Sequence, residues 1–107
     1  PMERGSIVGF DWDEANCAKC QKHGVSLPEI EAVFAHPHKL APDLAHSDRE
    51  TRFLAIGSGT GPRPIFVAFT VRSGPDGQMI RPISARYMHR KEIDQYEQAA
   101  AQTDHGR

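Results

Sequence analysis

The spacing of apolar and polar positions along the chain predicts strands and helices that alternate within a small domain. Alternating apolar positions are typical of strands with one buried face, and apolar positions three or four apart are typical of amphipathic helices. The clearest strand signal is the apolar run 65–71, which we expect at the centre of a sheet. Strands are predicted at 7–12, 51–58, 65–71 and 78–86, and helices at 14–23, 26–36 and 89–102.

Capping residues mark the ends of the first two predicted helices. Asp13 is a suitable N-cap for the first helix, and Gly24 is a suitable residue to end it. Ser26 and Glu29 have the spacing of a capping box at the start of the second helix. The polar segment 38–50 has no clear period and is predicted to be a loop with little internal order.

The order of these elements predicts the fold class. Short turns at 57–62 and 75–77 require the last three strands to be antiparallel neighbours. We therefore predict an α+β fold in the order β-α-α-β-β-β-α, with the helices packed on one face of a small antiparallel sheet. We expect a single domain at residues 2–102, followed by a frayed tail at 103–107.

The charges of the chain are unevenly distributed, although its formal net charge is only −1 over 107 residues. Residues 1–48 contain four Lys/Arg and eight Asp/Glu, residues 49–91 contain eight and two, and residues 92–107 contain one and four. A basic middle segment of this kind indicates an anionic ligand. The acidic helices are available to a different partner, either another protein or a second copy of this chain.

The cysteines and the lack of a long apolar run indicate the cellular compartment in which we expect the protein. No apolar run approaches the ~20 residues of a membrane span, and no secretory signal is evident, so we expect a cytoplasmic protein. Cys17 and Cys20 are too close in sequence for a disulfide to constrain the fold, which fits a reducing compartment.

An alternative role for the two cysteines is a zinc site that His23, His36 and His38 would complete. On a helix, however, His23 points about 120° away from Cys17. Neither a metal nor a cofactor is predicted.

One imidazole and three guanidinium groups are the candidates for proton transfer and phosphate binding. Arg52, Arg81 and Arg86 are candidates for holding a phosphate, because a guanidinium group binds phosphate oxygens bidentately and stays charged. His23 is the candidate for proton transfer, because an unperturbed imidazole has a pKa of ~6.5. The alternative is that these residues are ordinary surface charges and a favourable helix ending.

The alternation of a strand separates two of these arginines. Arg81 and Arg86 are five positions apart, so they lie on opposite faces of a regular strand unless Pro82 marks a bulge. Ser84 shares the face of Arg86. We therefore favour Arg86 together with Ser84 as the phosphate-binding pair.

Further polar residues are candidates by their proximity in sequence. Glu50 is two positions before Arg52 and should point the same way, so it either orients that side chain, acts as a base, or forms a cross-strand salt bridge. Lys22 adds a further positive charge beside the histidine. Arg90 and Lys91 add positive charge at the corner between the last strand and the last helix.

Several short motifs occur in a fixed order along the chain: Phe10-x-Trp12-Asp13, Lys22-His23-Gly24-Val25, Val33-Phe34 with His36-Pro37, Glu50-x-Arg52-Phe53 with Ile56-Gly57, Arg81-x-Ile83-Ser84-Ala85-Arg86, and a helix carrying Glu92 and Tyr96. Together they resemble BrnT-type toxins, the ribonuclease half of BrnT/BrnA type II toxin–antitoxin pairs. At two positions of the first helix the chain departs from the family, which usually has Lys in place of Asn16 and Asn in place of Cys20.

The resemblance implies a RelE-like fold, RNA cleavage without a metal, and neutralisation by a BrnA-like antitoxin that also binds DNA. On this basis the chain is expected to be an endoribonuclease that leaves a 2′,3′-cyclic phosphate. Arg86 and Arg52 would hold the phosphate, and His23 and Glu50 would transfer protons. The expected RNA contacts are Lys22, Arg81, Ser84, Arg90 and Lys91. The alternative hypothesis is a non-catalytic module that uses the same basic sheet face to bind a partner protein.

Overall fold

The computed structural model describes residues 7–43 and 50–105. Within these ranges the chain forms eight elements, and their number and order confirm the α+β class but add one strand to the predicted order. The elements are β1 Ile7–Phe10, α1 Glu14–Cys20, α2 Leu27–Ala35, β2 His38–Pro42, β3 Phe53–Ser58, β4 Pro64–Gly74, β5 Gly77–Tyr87 and α3 Arg90–His105. Residues 103–105, predicted to fray, belong to α3, and residues 106 and 107 lie outside the described ranges.

The described strands form one sheet in the order β1-β5-β4-β3-β2. The strands from β2 to β5 are antiparallel neighbours, as the short turns predicted, but β1 pairs with β5 in parallel. The prediction of a purely antiparallel sheet was therefore wrong. β1 is followed by two helices before the chain returns to the sheet, and a long connection of this kind permits parallel pairing at a distant strand.

The strand β2 was not predicted, because its residues had been assigned to a loop. It pairs with β3 in an unbroken register from His38 opposite Gly57 to Pro42 opposite Phe53. A proline at the end of an edge strand is tolerated, because no ladder hydrogen bond needs its missing N–H. Cross-strand pairing thus overrides the weak polar pattern of this segment. The rest of the predicted loop, residues 44–49, lies outside the described residues.

The two faces of the sheet differ in what covers them. One face, called here the helix-covered face, packs against Ile30 and Val33 of α2 and forms the buried core. Its sheet residues include Ala55, Ile65, Val67, Phe69 and Ala85. The other face, called here the open face, carries the alternate positions Leu54, Phe66, Ala68, Thr70, Ser84 and Arg86, which lie opposite one another across the strands.

A bulge in β5 changes which side chains reach the open face. Ala68 pairs with Ser84, but the next residue of β4, Phe69, pairs with Pro82, so Ile83 is an extra residue. The extra residue restores Arg81 to the open face, opposite Thr70. Arg81 and Arg86 therefore lie on the same face of the sheet, whereas a regular strand would place them on opposite faces.

Asn16 of α1 holds the bulge in place. This side chain is 4% exposed, and its amide donates hydrogen bonds of 2.9 Å to the carbonyl oxygens of Pro82 and Asp11. Its carbonyl oxygen accepts from the N–H of Asp13, which itself caps the helix as predicted. One buried amide thus joins α1, the end of β1 and the bulge.

The helix α1 is shorter than predicted and ends at Cys20, not at His23. Residues 21–23 form turns, and Gly24 has a φ of +91°, a conformation that suits glycine. The turn is needed because the next residue, Val25, is buried in the core at 1% exposure. His23 therefore lies on an exposed turn rather than in the last turn of a helix, where the sequence placed it.

The helix α3 corrects the prediction that the helices share one face. Its first turn reaches the open face, where Glu92 binds Arg86, and further along the ring of Tyr96 lies 5.6 Å from the ammonium of Lys39 on β2. The same Glu92 accepts a hydrogen bond of 2.8 Å from the N–H of His89 just before the helix. The carboxylate thereby links the start of α3 to the open face.

Candidate active site

The open face contains a pocket of about 410 Å³ that brings together four of the residues selected from the sequence. These are His23, Arg52, Ser84 and Arg86, and we call this cavity the His23 pocket. Its floor consists of open-face positions of β3, β4 and β5, and the turn after α1 forms part of its wall. The complete lining is His23, Asp43, Arg52, Leu54, Phe66, Ala68, Ser84, Ala85 and Arg86.

Arg86 is fixed in this pocket by an aromatic ring and a carboxylate. Its guanidinium carbon lies 4.5 Å from the centre of the Phe66 ring, within the range of a cation–π contact. Both of its terminal nitrogens donate to Glu92, each at 2.9 Å, which is a bidentate pair. The planar group is thus held in one orientation at the edge of the pocket.

The carboxylate of Glu92 is strongly acidic in this setting. The hydrogen bonds from Arg86 and from the N–H of His89 lower its pKa from 4.5 to about 2. The same pair raises the pKa of Arg86. Glu92 therefore stays ionised at neutral pH and is suited to orienting Arg86 rather than to accepting a proton.

A second pocket of about 260 Å³ lies beside the first, and Arg52 lines both. We call it the Arg81 pocket. It contains two more of the residues selected from the sequence, Glu50 and Arg81, which the structure therefore separates from His23. The complete lining is Ala15, Asn16, Lys19, Glu50, Arg52, Thr70, Arg72, Arg81 and Ile83.

The charged groups of the Arg81 pocket form ion pairs. Arg72 donates to Glu50 at 3.1 Å, so Glu50 forms the cross-strand salt bridge that was one of its predicted alternatives. The hydrogen bond from Arg72 lowers the pKa of Glu50. Arg81 binds Asp13 at 2.9 Å and Asp11 at 3.6 Å. The pKa of Asp13 is lowered mainly by the backbone N–H of Asn16, and also by Arg81.

The remaining predicted RNA contacts do not line either pocket. Lys22 is exposed on the turn beside His23. Arg90 and Lys91 are exposed on the first turn of α3, where the Nε of Arg90 lies 3.8 Å from Asp94. The positive charge at this strand–helix corner therefore spreads over the surface, and only Arg86 of that corner enters a pocket.

The cysteines occupy an apolar setting. Cys20 is fully buried in the core, and burial raises the pKa of its thiol to about 11. Cys17 is half-buried, and neither forms a disulfide. In residues 7–43 and 50–105, no three His, Cys, Asp or Glu side chains come close enough to hold a metal ion. These residues also contain no helix long and apolar enough to span a membrane.

Sequence reasoning missed Phe66 as the support of Arg86, and Lys19 and Arg72 as lining residues. The alternation in β4 contains a usable signal for Phe66, because Ile65 and Val67 are the buried positions and Phe66 must then face the other side. Arg72 has the same parity as Phe66 and was identifiable in the same way. Lys19 was not, since its position depends on how α1 lies against the strands.

A family model described as the ribonuclease toxin BrnT of type II toxin–antitoxin systems matches residues 12–92. This span includes both pockets and the start of α3. The chain belongs to the BrnT family. No protein among those with curated functions matches it.

Membership of the BrnT family makes RNA the target and an antitoxin the partner of this kind of protein. The structure also shows what Asn16 does, at a position where the resemblance leads us to expect a lysine. A lysine has no acceptor for the N–H of Asp13, which in this chain donates to the carbonyl oxygen of Asn16. Asn16 instead satisfies two carbonyl oxygens at 2.9 Å, so its role here is to hold the bulge.

Proposed function

We propose that this BrnT-family chain is a metal-independent endoribonuclease that cleaves RNA in the His23 pocket. The observation that supports the proposal is the convergence of an imidazole and two guanidinium groups in one pocket on the open face. In the reaction, the 2′-oxygen of the substrate bonds to the adjacent phosphorus and the bond from phosphorus to the 5′-oxygen breaks. The products are a 2′,3′-cyclic phosphate and a free 5′-hydroxyl.

Arg86 and Arg52 are proposed to stabilise the charge that develops on the phosphate. Arg86 is suited to this task because it lines the pocket and the Phe66 ring fixes its guanidinium plane. Its bidentate pair with Glu92 is partly exposed, with 40% of the Arg86 side chain and 29% of the Glu92 side chain accessible. A phosphate is therefore proposed to compete with the carboxylate for the guanidinium group.

His23 is proposed to accept the proton of the 2′-hydroxyl, since it is the imidazole that lines the pocket. The leaving 5′-oxygen takes a proton from water or from Lys22 on the same turn. Glu50 remains a candidate for proton transfer, but its pair with Arg72 and its lowered pKa favour a role in orienting cations. Ser84 is proposed to donate its hydroxyl to a phosphate oxygen, and Arg81, Arg90 and Lys91 to contact flanking RNA.

The experiment is RNA cleavage in excess EDTA by the wild-type protein, Arg86→Ala and Arg63→Ala. Arg63 is a matched control, because it also stacks on an aromatic ring, at 4.4 Å from the centre of Tyr87, but does not line the His23 pocket. We expect cleavage by the wild type and Arg63→Ala and a large loss in Arg86→Ala. Equal cleavage by all three would remove Arg86 from the mechanism, and no cleavage by any would refute the metal-independent enzyme.

The second candidate function is a non-catalytic module that binds an acidic partner. The observation in its favour is that Arg72, Arg81 and Arg86 each already bind a carboxylate of the chain itself. Growth arrest on expression that is abolished by Arg86→Ala and His23→Gln, in cells without the antitoxin, supports the nuclease. Arrest that survives both substitutions supports the binding module.

Family membership supports several further proposals. We propose that the fold is related to RelE, that the protein acts in the cytoplasm, and that its antitoxin is BrnA-like and binds DNA. Contacts between two copies of the chain through the acidic helices are also proposed. Gel filtration of the toxin alone and with its antitoxin measures the oligomeric state and the stoichiometry.

A further inference from the structure

We propose that the Arg81 pocket is a second phosphate site, which binds the phosphate next to the one that is cleaved. The inference rests on the proposed function and deepens it. It assigns substrate contacts to Lys19 and Arg72, which the sequence did not indicate. The ligand is a single RNA strand that crosses both pockets.

The two pockets are arranged so that one strand passes from one to the other. Arg52 lines both of them. On the α1 side, Lys19 lines the Arg81 pocket and His23, four residues later, lines the His23 pocket. On β4, Thr70 lines the Arg81 pocket and Ala68 lines the His23 pocket. These two residues are roughly 7 Å apart along an extended strand. This separation is a step that one nucleotide is able to bridge.

The charge of the Arg81 pocket fits a phosphate better than it fits an uncharged group. Four cationic side chains line it, namely Lys19, Arg52, Arg72 and Arg81. The carboxylates beside them are Glu50 in the lining and Asp11 and Asp13, which bind Arg81. The lining of the His23 pocket has two guanidinium groups and one carboxylate, and Glu92 binds one of those guanidinium groups. With these partners counted, the Arg81 pocket has one cation more than it has carboxylates, which suits a phosphate of the substrate.

The ion pairs of the pocket allow a phosphate to enter. The Arg72 and Glu50 side chains are 49% and 42% exposed, so their 3.1 Å pair is one that an incoming phosphate is able to replace. Arg81 is different, because only 16% of its side chain is exposed and two carboxylates hold it. Arg72 and Lys19 are therefore the residues expected to contact RNA directly, and Arg81 the one that shapes the pocket.

The test measures binding, so that it does not depend on catalysis. Non-cleavable 2′-O-methyl oligonucleotides with one, two and three phosphates are titrated against the wild-type protein, Arg72→Ala and Arg63→Ala. We expect Arg72→Ala to weaken the ligands with two and three phosphates about two- to fivefold, as for one exposed charge contact. For these ligands the slope of log K against log salt should fall by about 0.7. The Arg63→Ala variant should show wild-type affinity for all three ligands.

The outcomes separate this inference from the nuclease itself. No weakening of the ligands with two and three phosphates by Arg72→Ala, or equal weakening by Arg63→Ala, overturns the second phosphate site. Lys19→Ala, which changes a different element, must weaken the same two ligands, and it replaces Arg72→Ala if that variant does not fold. Absence of RNA cleavage by the wild type refutes the proposed function, while the binding measurement still decides the phosphate site.

Discussion

Two arginines of this chain stack on aromatic rings at opposite faces of the same sheet. Arg63 lies 4.4 Å from the centre of the Tyr87 ring, on the helix-covered side, where the Tyr87 hydroxyl donates to Glu29 at 2.7 Å. Arg86 lies 4.5 Å from the centre of the Phe66 ring on the open face. The local contact is the same, but only Arg86 borders a pocket that also contains an imidazole. Which face a cation occupies therefore matters more than its immediate neighbour.

The two faces of the sheet also differ in polarity. The helix-covered face is apolar, and its buried side chains stabilise the fold. It leaves an apolar groove of about 580 Å³ beside β1, where Ile7 and Val8 are about half exposed. The open face carries the polar pockets. The comparison predicts that substitutions on the open face reduce activity, and that substitutions in the core reduce stability.

The largest expected effect is the loss of activity in His23→Gln. If His23 transfers the proton of the 2′-hydroxyl, kcat should fall about 10²- to 10⁴-fold while the melting temperature stays unchanged, because the side chain is exposed. His36→Gln is the control, since His36 is exposed at the end of α2 and lines neither pocket of the open face. Single-turnover rates and thermal unfolding measure the two quantities. Wild-type kcat in His23→Gln would contradict the assignment.

The converse substitution is Ile30→Ala in the core. Ile30 is fully buried under the helix-covered face, so its truncation should lower the free energy of unfolding by about 2–5 kcal/mol. The folded fraction should keep wild-type kcat, because Ile30 does not contact either pocket of the open face. Urea unfolding gives the stability and active-site titration gives the folded fraction. A selective loss of kcat with unchanged stability would reverse the comparison between the faces.

Asn16→Ala should affect both faces, because Asn16 joins the core side of α1 to the bulge. Removing its amide leaves the carbonyl oxygens of Asp11 and Pro82 without this donor, at a cost of about 1–3 kcal/mol in unfolding free energy. The matched control is Gln21→Ala, whose side chain makes an exposed 3.1 Å bond and should change stability by less than about 0.5 kcal/mol. Equal stabilities of the two variants would mean that the bulge does not depend on Asn16.

The smallest expected effect is a change in acid stability in Glu92→Gln. The pKa of Glu92 is about 2 in the folded protein against an ordinary 4.5, so its carboxylate stabilises the fold above pH 4.5. That contribution is lost as the pH falls from 4.5 toward 2. The difference in melting temperature between the wild type and Glu92→Gln should therefore shrink over this range. Glu97→Gln, which removes an exposed carboxylate of the same helix, is the control for the loss of one negative charge. A constant difference for Glu92→Gln would contradict the pair with Arg86.

The sequence predicted those parts of the fold that depend on local pattern. The strands β3, β4 and β5 follow from alternation and from turn residues, and the N-cap at Asp13 and the capping box at Ser26 are present as predicted. The strand β2 could not be predicted, since its polar sequence becomes a strand only through pairing with β3. The parallel pairing of β1 also depends on contacts that are distant in sequence.

The candidate site was predictable to a similar degree. His23, Arg52, Ser84 and Arg86 do meet in one pocket. The position of Arg81 was not predictable, because it depends on one extra residue in β5 and on a buried amide from another element. Glu50 does share the Arg81 pocket with Arg52, but a two-residue spacing does not show which of two adjoining pockets a side chain enters.

The proposed mechanism requires that the open face cleaves RNA by means of the substrate's own 2′-hydroxyl. The most direct measurement compares, in excess EDTA, an RNA with the same RNA carrying one 2′-deoxy nucleotide at the mapped cleavage position. We expect a 2′,3′-cyclic phosphate end from the unmodified RNA and an intact bond at that position in the 2′-deoxy RNA. Cleavage at the 2′-deoxy nucleotide, or a product that has never carried a cyclic phosphate, would contradict it.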